Sequence, residues 1–120
     1  MTIRIGVIGY GEAGRAFGAG LVGAGAAVST WDILVPTPDG AAIRANAAAD
    51  GVAVCTAAGD AIEGAAIVLS LVPADAARAV AAEAAGHLRA GQLFMDMNSV
   101  SPREKEAGAA LVEASGARYV

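Results

Sequence analysis

Ile3-Arg4-Ile5-Gly6-Val7-Ile8-Gly9-Tyr10-Gly11-Glu12-Ala13-Gly14 is the stretch on which the fold turns. A β-branched apolar run leads directly into three glycines at G-x-G-x-x-G spacing, and the helix-favouring run Ala13-Gly14-Arg15-Ala16-Phe17 follows. In a chain with 16 glycines the spacing alone says little. The strand–turn–helix setting gives it weight. Gly9 permits the tight turn out of the strand, Gly11 lets a pyrophosphate approach the backbone without meeting a Cβ, and Gly14 lets the helix pack closely. The free amides and partial positive charge of the helix start then face the phosphates, so Gly9, Tyr10, Gly11, Glu12, Ala13 and Gly14 form the expected phosphate loop. Glycines that only bend the chain and pack a helix are the competing reading.

Working outward, short β-branched runs alternate with Ala-rich stretches, the pattern of repeated βα units around a parallel sheet. Strands are expected at Ile3–Ile8, Ala27–Trp31, Val52–Val54, Ile67–Leu71, Leu93–Met97 and Tyr119–Val120. The fourth is almost continuously apolar, as a strand covered on both faces should be. Helices are expected at Glu12–Gly23, Gly40–Asp50, Ala61–Glu63, Ala74–Ala85 and Pro102–Ala114. Ser101-Pro102-Arg103-Glu104 carries a cap hydroxyl, a proline at the first helical position and a carboxylate able to reach back to the cap amide. Asp60-Ala61-Ile62-Glu63 is a weaker version of the same device. The class is α/β, a Rossmann fold with a doubly wound parallel sheet of about six strands in the order 3-2-1-4-5-6, and 120 residues suffice for one such domain.

Asp32 closes the second strand 18 residues after Gly14, where a carboxylate can accept hydrogen bonds from both hydroxyls of an adenosine ribose. That favours NAD, because a 2′-phosphate would face a negative charge and Ile33-Leu34-Val35 offers no arginine to offset it. Arg44 on the next helix could swing toward a phosphate, so NADP stays open. Trp31 either flanks the adenine or packs in the core.

The net charge is −4, and the eight basic residues, of which Lys105 is the only lysine, form no stripe. Nucleic acid is therefore an unfavourable partner. The longest strongly apolar stretch, Ala65 to Val72, is far short of a bilayer span of about 20 residues. The lone Cys55 cannot form an internal disulfide and reads as a small buried hydrophobe. With strand pattern at the very start, a cytoplasmic location is expected. No Cys/His grouping has metal-ligand spacing. His87 reads as a surface or helix-end residue.

Three segments resemble the β-hydroxyacid dehydrogenase family, which includes 3-hydroxyisobutyrate dehydrogenase, tartronate semialdehyde reductase and 6-phosphogluconate dehydrogenase. Ile5 to Gly14 is similar to its opening phosphate loop. Leu69-Ser70-Leu71-Val72-Pro73 is similar to the strand-end turn that lies along the cofactor. Asp96-Met97-Asn98-Ser99-Val100-Ser101-Pro102 resembles its Asp-x-Ser-Thr-hydrophobic-x-Pro signature, with Asn98-Ser99 closer to the phosphogluconate dehydrogenases. The resemblance implies that Leu71, Val72 and Pro73 line the nicotinamide and that Asn98 and Ser99 face the nicotinamide or the substrate. Ordinary turn formation is the competing reading for the last two. Asp96 is expected to brace the loop, Ser101 to cap the helix, and Lys105, between Glu104 and Glu106, to be solvated.

The family implies hydride transfer between the cofactor and a small, anionic 3-hydroxy acid. It also implies a catalytic lysine and a glycine-rich substrate loop on an all-helical second domain that usually forms a homodimer. None of these is present in the sequence, which stops at Val120 in what resembles the sixth strand. Truncation before that domain is expected, with cofactor binding and poor turnover by these residues alone. A non-catalytic dinucleotide-binding or redox-sensing module is the alternative. Another Rossmann reductase, related to pyrroline carboxylate reductase or prephenate dehydrogenase, is a third reading.

Overall fold

Six parallel strands pair in the order β3-β2-β1-β4-β5-β6, which is the order expected. The structure, a computed structural model, describes residues 2–120. The strands are β1 (Arg4–Ile8), β2 (Ala27–Trp31), β3 (Ala53–Val54), β4 (Ile67–Ser70), β5 (Leu93–Asp96) and β6 (Arg118–Tyr119). The helices are α1 (Glu12–Gly23), α2 (Gly40–Asp50), α3 (Ala58–Ile62), α4 (Ala77–Ala85) and α5 (Pro102–Glu113).

β1 is central, with Gly6 opposite Ser29 on one side and Val68 on the other. Chain direction reverses its progress across the sheet there, and such a switch point opens a crevice at the carboxyl ends of the strands. Alternate side chains of each strand feed two cores. Ile5, Val7 and Val28 pack with Ile43, Ala47 and Val52 beneath α1 and α2. Ile8, Val68 and Phe94 pack with Ile62, Ala84 and Val112 beneath α3, α4 and α5. Ala47, Ala61, Ala81 and Ala84 at the helix–sheet contacts allow the helices to approach closely.

Strand ends fall within one residue of expectation, but three helical features differ. α3 begins at Ala58 with no side-chain cap, so Asp60 lies inside it and caps nothing. The apolar contacts of Ala58, Ala61 and Ile62 with the second core set its register instead. The stretch expected as one helix from Ala74 starts as a 3-10 turn, Ala74–Ala76, after Pro73, and only then becomes α4. Ser101 does cap α5, accepting the Glu104 amide at 3.3 Å. The Glu104 carboxylate does not reach back, because Arg78 of α4 takes both its oxygens at 3.0 Å, a bidentate geometry stronger than one neutral amide provides.

Cys55 lies just past β3, half-buried against the second core, and burial pushes its thiol pKa up. His87 is at the surface, its Nδ1 3.8 Å from the Glu63 carboxylate. No helix among the described residues is long and apolar enough to cross a membrane.

Candidate functional site

A cavity of about 770 Å³ opens at the carboxyl ends of β1, β2, β4 and β5, within the size range of cofactor sites. Its floor is the turn from β1 into α1. Gly9 has φ +95°, and a Cβ there would lie 2.1 Å from the Leu71 carbonyl oxygen, so only glycine fits. A Cβ on Gly14 would lie 2.0 Å from the Gly9 carbonyl oxygen, which is how closely α1 sits on the turn. Gly11 differs from both, for a Cβ there would meet no heavy atom within 4 Å. The absent side chain at 11 serves the open space above the turn, not the packing below it. Gly11 is also the N-cap of α1 and offers no side-chain acceptor. The first amides of α1, which have no intrahelical partners, thus border the cavity at Glu12, Ala13 and Gly14.

One wall is the end of β2. The Asp32 carboxylate is fixed by two backbone donors, the Tyr10 amide to Oδ2 at 2.7 Å and the Leu34 amide to Oδ1 at 2.9 Å. Each oxygen keeps acceptor capacity for a ligand hydroxyl. The Tyr10 bond ties the end of β2 to the β1–α1 turn. Trp31 lines the cavity and also packs on the second core. Its indole N–H is buried without a partner.

Tyr10 is the one member of the expected set whose side chain lies away from the cavity. It is 2% exposed in the first core and donates its hydroxyl to Asp50 Oδ2 at 2.7 Å. Arg15 holds the same oxygen at 2.9 Å. Burial and the Asp50 carboxylate push the Tyr10 hydroxyl pKa up, whereas the bonds from Arg15 and Tyr10 hold the Asp50 carboxyl below its ordinary value. This cluster clamps α1 to α2 and leaves Tyr10 only its main chain to offer at the loop. Arg44 does not line the cavity, and its guanidinium donates to the Val35 carbonyl at 3.1 Å.

The opposite wall combines the turn after β4 with the loop after β5. Leu71, Val72, Pro73, Met97, Asn98 and Ser99 line it. Asn98 is buried, and its Oδ1 accepts the Val72 amide at 2.8 Å while its Nδ2 donates to Ser70 Oγ at 3.0 Å. Its side chain therefore joins the two loops, leaving Ser99 the freer polar group on this wall.

Sequence reading missed two contributions. α4 and the 3-10 turn before it supply a wall through Ala76, Val80, Glu83 and Ala84, whose i, i+4, i+7, i+8 spacing marked a helix face but not what it would face. The second is Lys105. Expected to be solvated, it instead donates to the Asp96 carbonyl at 2.6 Å and lies 3.2 Å from Asp96 Oδ1. The first turn of α5 passes beside the end of β5, and a buried carboxylate there draws the ammonium inward. Asp96 braces the loop as expected, accepting the Asn98 amide at 3.0 Å.

The family model of the NAD-binding domain of 6-phosphogluconate dehydrogenase matches residues 4–120. The chain belongs to this family of nicotinamide dinucleotide-binding domains. Among solved structures, a conserved hypothetical protein from Sinorhizobium meliloti 1021 is 36% identical with a TM-score of 0.92, the match covering 99% of this chain and 40% of that one. The 3-hydroxyisobutyrate dehydrogenase of Mycobacterium tuberculosis, solved with L-serine, is 31% identical with a TM-score of 0.86, over 99% of this chain and 39% of its own. An imine reductase from Pseudomonas sp. shares the fold, with a TM-score of 0.76 at 18% identity, over 99% of this chain and 40% of its own. The 120 residues thus span about two fifths of the length of these relatives. Among curated proteins none matches. Membership in the β-hydroxyacid dehydrogenase group, expected from three short segments, is borne out over nearly the whole chain.

Proposed function

We propose that the chain binds NAD and serves as the cofactor-holding part of a dehydrogenase acting on a small, anionic 3-hydroxy acid. The observation that carries this reading is the start of α1. Unpartnered amides border a cavity that a side chain at position 11 would enter, beside a carboxylate fixed by the phosphate loop itself.

Gly9, Gly11 and Gly14 shape the turn that presents the Glu12, Ala13 and Gly14 amides to a diphosphate, and Asp32 accepts from the ribose hydroxyls. Leu71, Val72, Pro73 and Met97 give the nicotinamide end an apolar wall that excludes water. Asn98 holds that wall together, and the Ser99 hydroxyl orients the ring or the substrate. When bound, the nicotinamide supplies hydride donor or acceptor chemistry at its C4.

NAD is preferred to NADP on electrostatic grounds. The charged residues lining the cavity are Glu12, Asp32 and Glu83, with no Lys, Arg or His among them, and Arg44 is directed at the Val35 carbonyl. A 2′-phosphate would meet negative charge with nothing to offset it.

The 3-hydroxy acid assignment draws on the likeness to 3-hydroxyisobutyrate dehydrogenase. No general acid–base is assigned to these residues, since Lys105 is bound to Asp96. We place that group, and the rest of the substrate pocket, on polypeptide beyond the 120 residues. The same engagement of Lys105 favours, for the chain taken alone, a dinucleotide-binding module without turnover.

Calorimetric titration with NAD and NADP tests the reading. NAD should bind at least about tenfold more tightly, given the cost of like charges in contact. Equal affinities would overturn the NAD assignment, and absence of binding by either would overturn the reading itself.

A further inference from the structure

Behind the two loops of the nicotinamide wall runs a line of polar contacts whose far members, Asp96, Lys105 and Tyr119, do not border the cavity. The Asp96 side chain is 3% exposed and receives three donors from three different elements. These are the Asn98 amide from its own loop, the Lys105 ammonium from α5, and the Tyr119 hydroxyl of β6 at 2.8 Å. Tyr119 is itself held by stacking on Phe94, ring centres 6.0 Å apart. Asn98 carries the constraint onward to Val72 and Ser70. The Asn98 side chain therefore spans the two loops, and the buried carboxylate holds the main chain from which it reaches.

A strand end needs no such carboxylate for stability. Burying one costs desolvation that an apolar side chain of similar volume avoids. The polar arrangement has a different consequence, a single fixed geometry, because each partner satisfies its neighbour in specified directions.

We propose that Lys105 and Asp96 are positioning residues for the nicotinamide half of the cofactor, acting through Asn98 without touching the ligand. The inference rests on the dinucleotide reading above and goes beyond it by dividing the site. The phosphate loop and Asp32 share no hydrogen bond with this network, so the adenosine and diphosphate half is held independently.

The test compares NADH with ADP-ribose, which lacks the nicotinamide, by titration of the wild-type chain and two variants. Lys105→Met keeps the long stem and removes the ammonium. Tyr119→Phe removes a second donor to the same carboxylate and serves should the first variant fold poorly. Each should weaken NADH about tenfold, the scale of losing one charge-assisted hydrogen bond, and leave ADP-ribose within about twofold. Equal losses for both ligands, or undiminished NADH affinity in folded variants, would overturn the proposal. Wild-type chain that binds neither ligand would instead overturn the dinucleotide reading.

Discussion

Replacing Gly11 with alanine separates folding from ligand recognition at a single atom. A Cβ at this position meets no heavy atom within 4 Å, and the backbone, at φ −78° and ψ −156°, is extended, a conformation open to any L residue. The folding cost is correspondingly small. Alanine is the poorer N-cap by about 1 kcal/mol, and the lost freedom of the unfolded chain returns roughly 0.4–1 kcal/mol. The net change of about 1 kcal/mol or less corresponds to a Tm shift of no more than ~4–8 °C for a domain near this size. Binding responds differently, because the methyl group occupies space the diphosphate needs to reach the α1 amides. Loss of one charge-assisted hydrogen bond costs about 1.5–3 kcal/mol, or roughly 10- to 150-fold in Kd. Gly14→Ala is the contrasting variant, since its Cβ would lie 2.0 Å from the Gly9 carbonyl oxygen and α1 must shift. It should destabilise the fold by about 1–3 kcal/mol or more and lose binding with it. Thermal unfolding and NAD calorimetry on both proteins are the assays. A Gly11→Ala chain that binds NAD like wild type, or that loses as much stability as Gly14→Ala, would refute the reasoning.

Asp32→Ala should weaken NAD by about 1–3 kcal/mol in a calorimetric titration, and unchanged affinity would remove Asp32 from the site. Glu12 borders the cavity at the start of α1, where its charge suits the helix but opposes a diphosphate. Glu12→Gln should therefore tighten NAD by a few-fold at low salt, the gain shrinking above about 0.15 M as charges are screened. Burial alone would raise the Asp96 carboxyl pKa, but the Asn98 amide, the Tyr119 hydroxyl and the Lys105 ammonium outweigh it and hold the value below the ordinary one. Its stabilisation is complete above about pH 4 and is lost as the pH falls through the lower folded value. Asp96→Asn should accordingly flatten the acid limb of a stability-versus-pH curve, and an unchanged slope would contradict this.

The parts of the site legible in the sequence are those encoded locally. A strand, three glycines and a helix define the β1–α1 turn within twelve residues, and Asp32 follows because the end of the next parallel strand must lie beside it. Strand order followed from the βα alternation once the glycine spacing after β1 pointed to a Rossmann sheet. What was missed depends on contacts between distant segments. The face running from Ala76 into α4 as far as Ala84 reads as helical, but only the packed sheet shows that it walls a cavity. Lys105 sits among acidic neighbours in sequence, and its true partner, Asp96, lies nine positions away on another element. Asn98 offered a donor and an acceptor for a ligand, and the fold uses both to join two loops. The α3 cap failed because a five-residue helix with four buried residues, Ala58, Gly59, Ala61 and Ile62, takes its register from the core, not from Asp60.

Backbone amide shifts during an NAD titration, followed by ¹⁵N NMR, test the central claim most directly. The largest changes should fall on Glu12, Ala13 and Gly14, where the first turn of α1 meets the diphosphate. Saturable NAD binding that leaves those three amides unmoved would contradict the account.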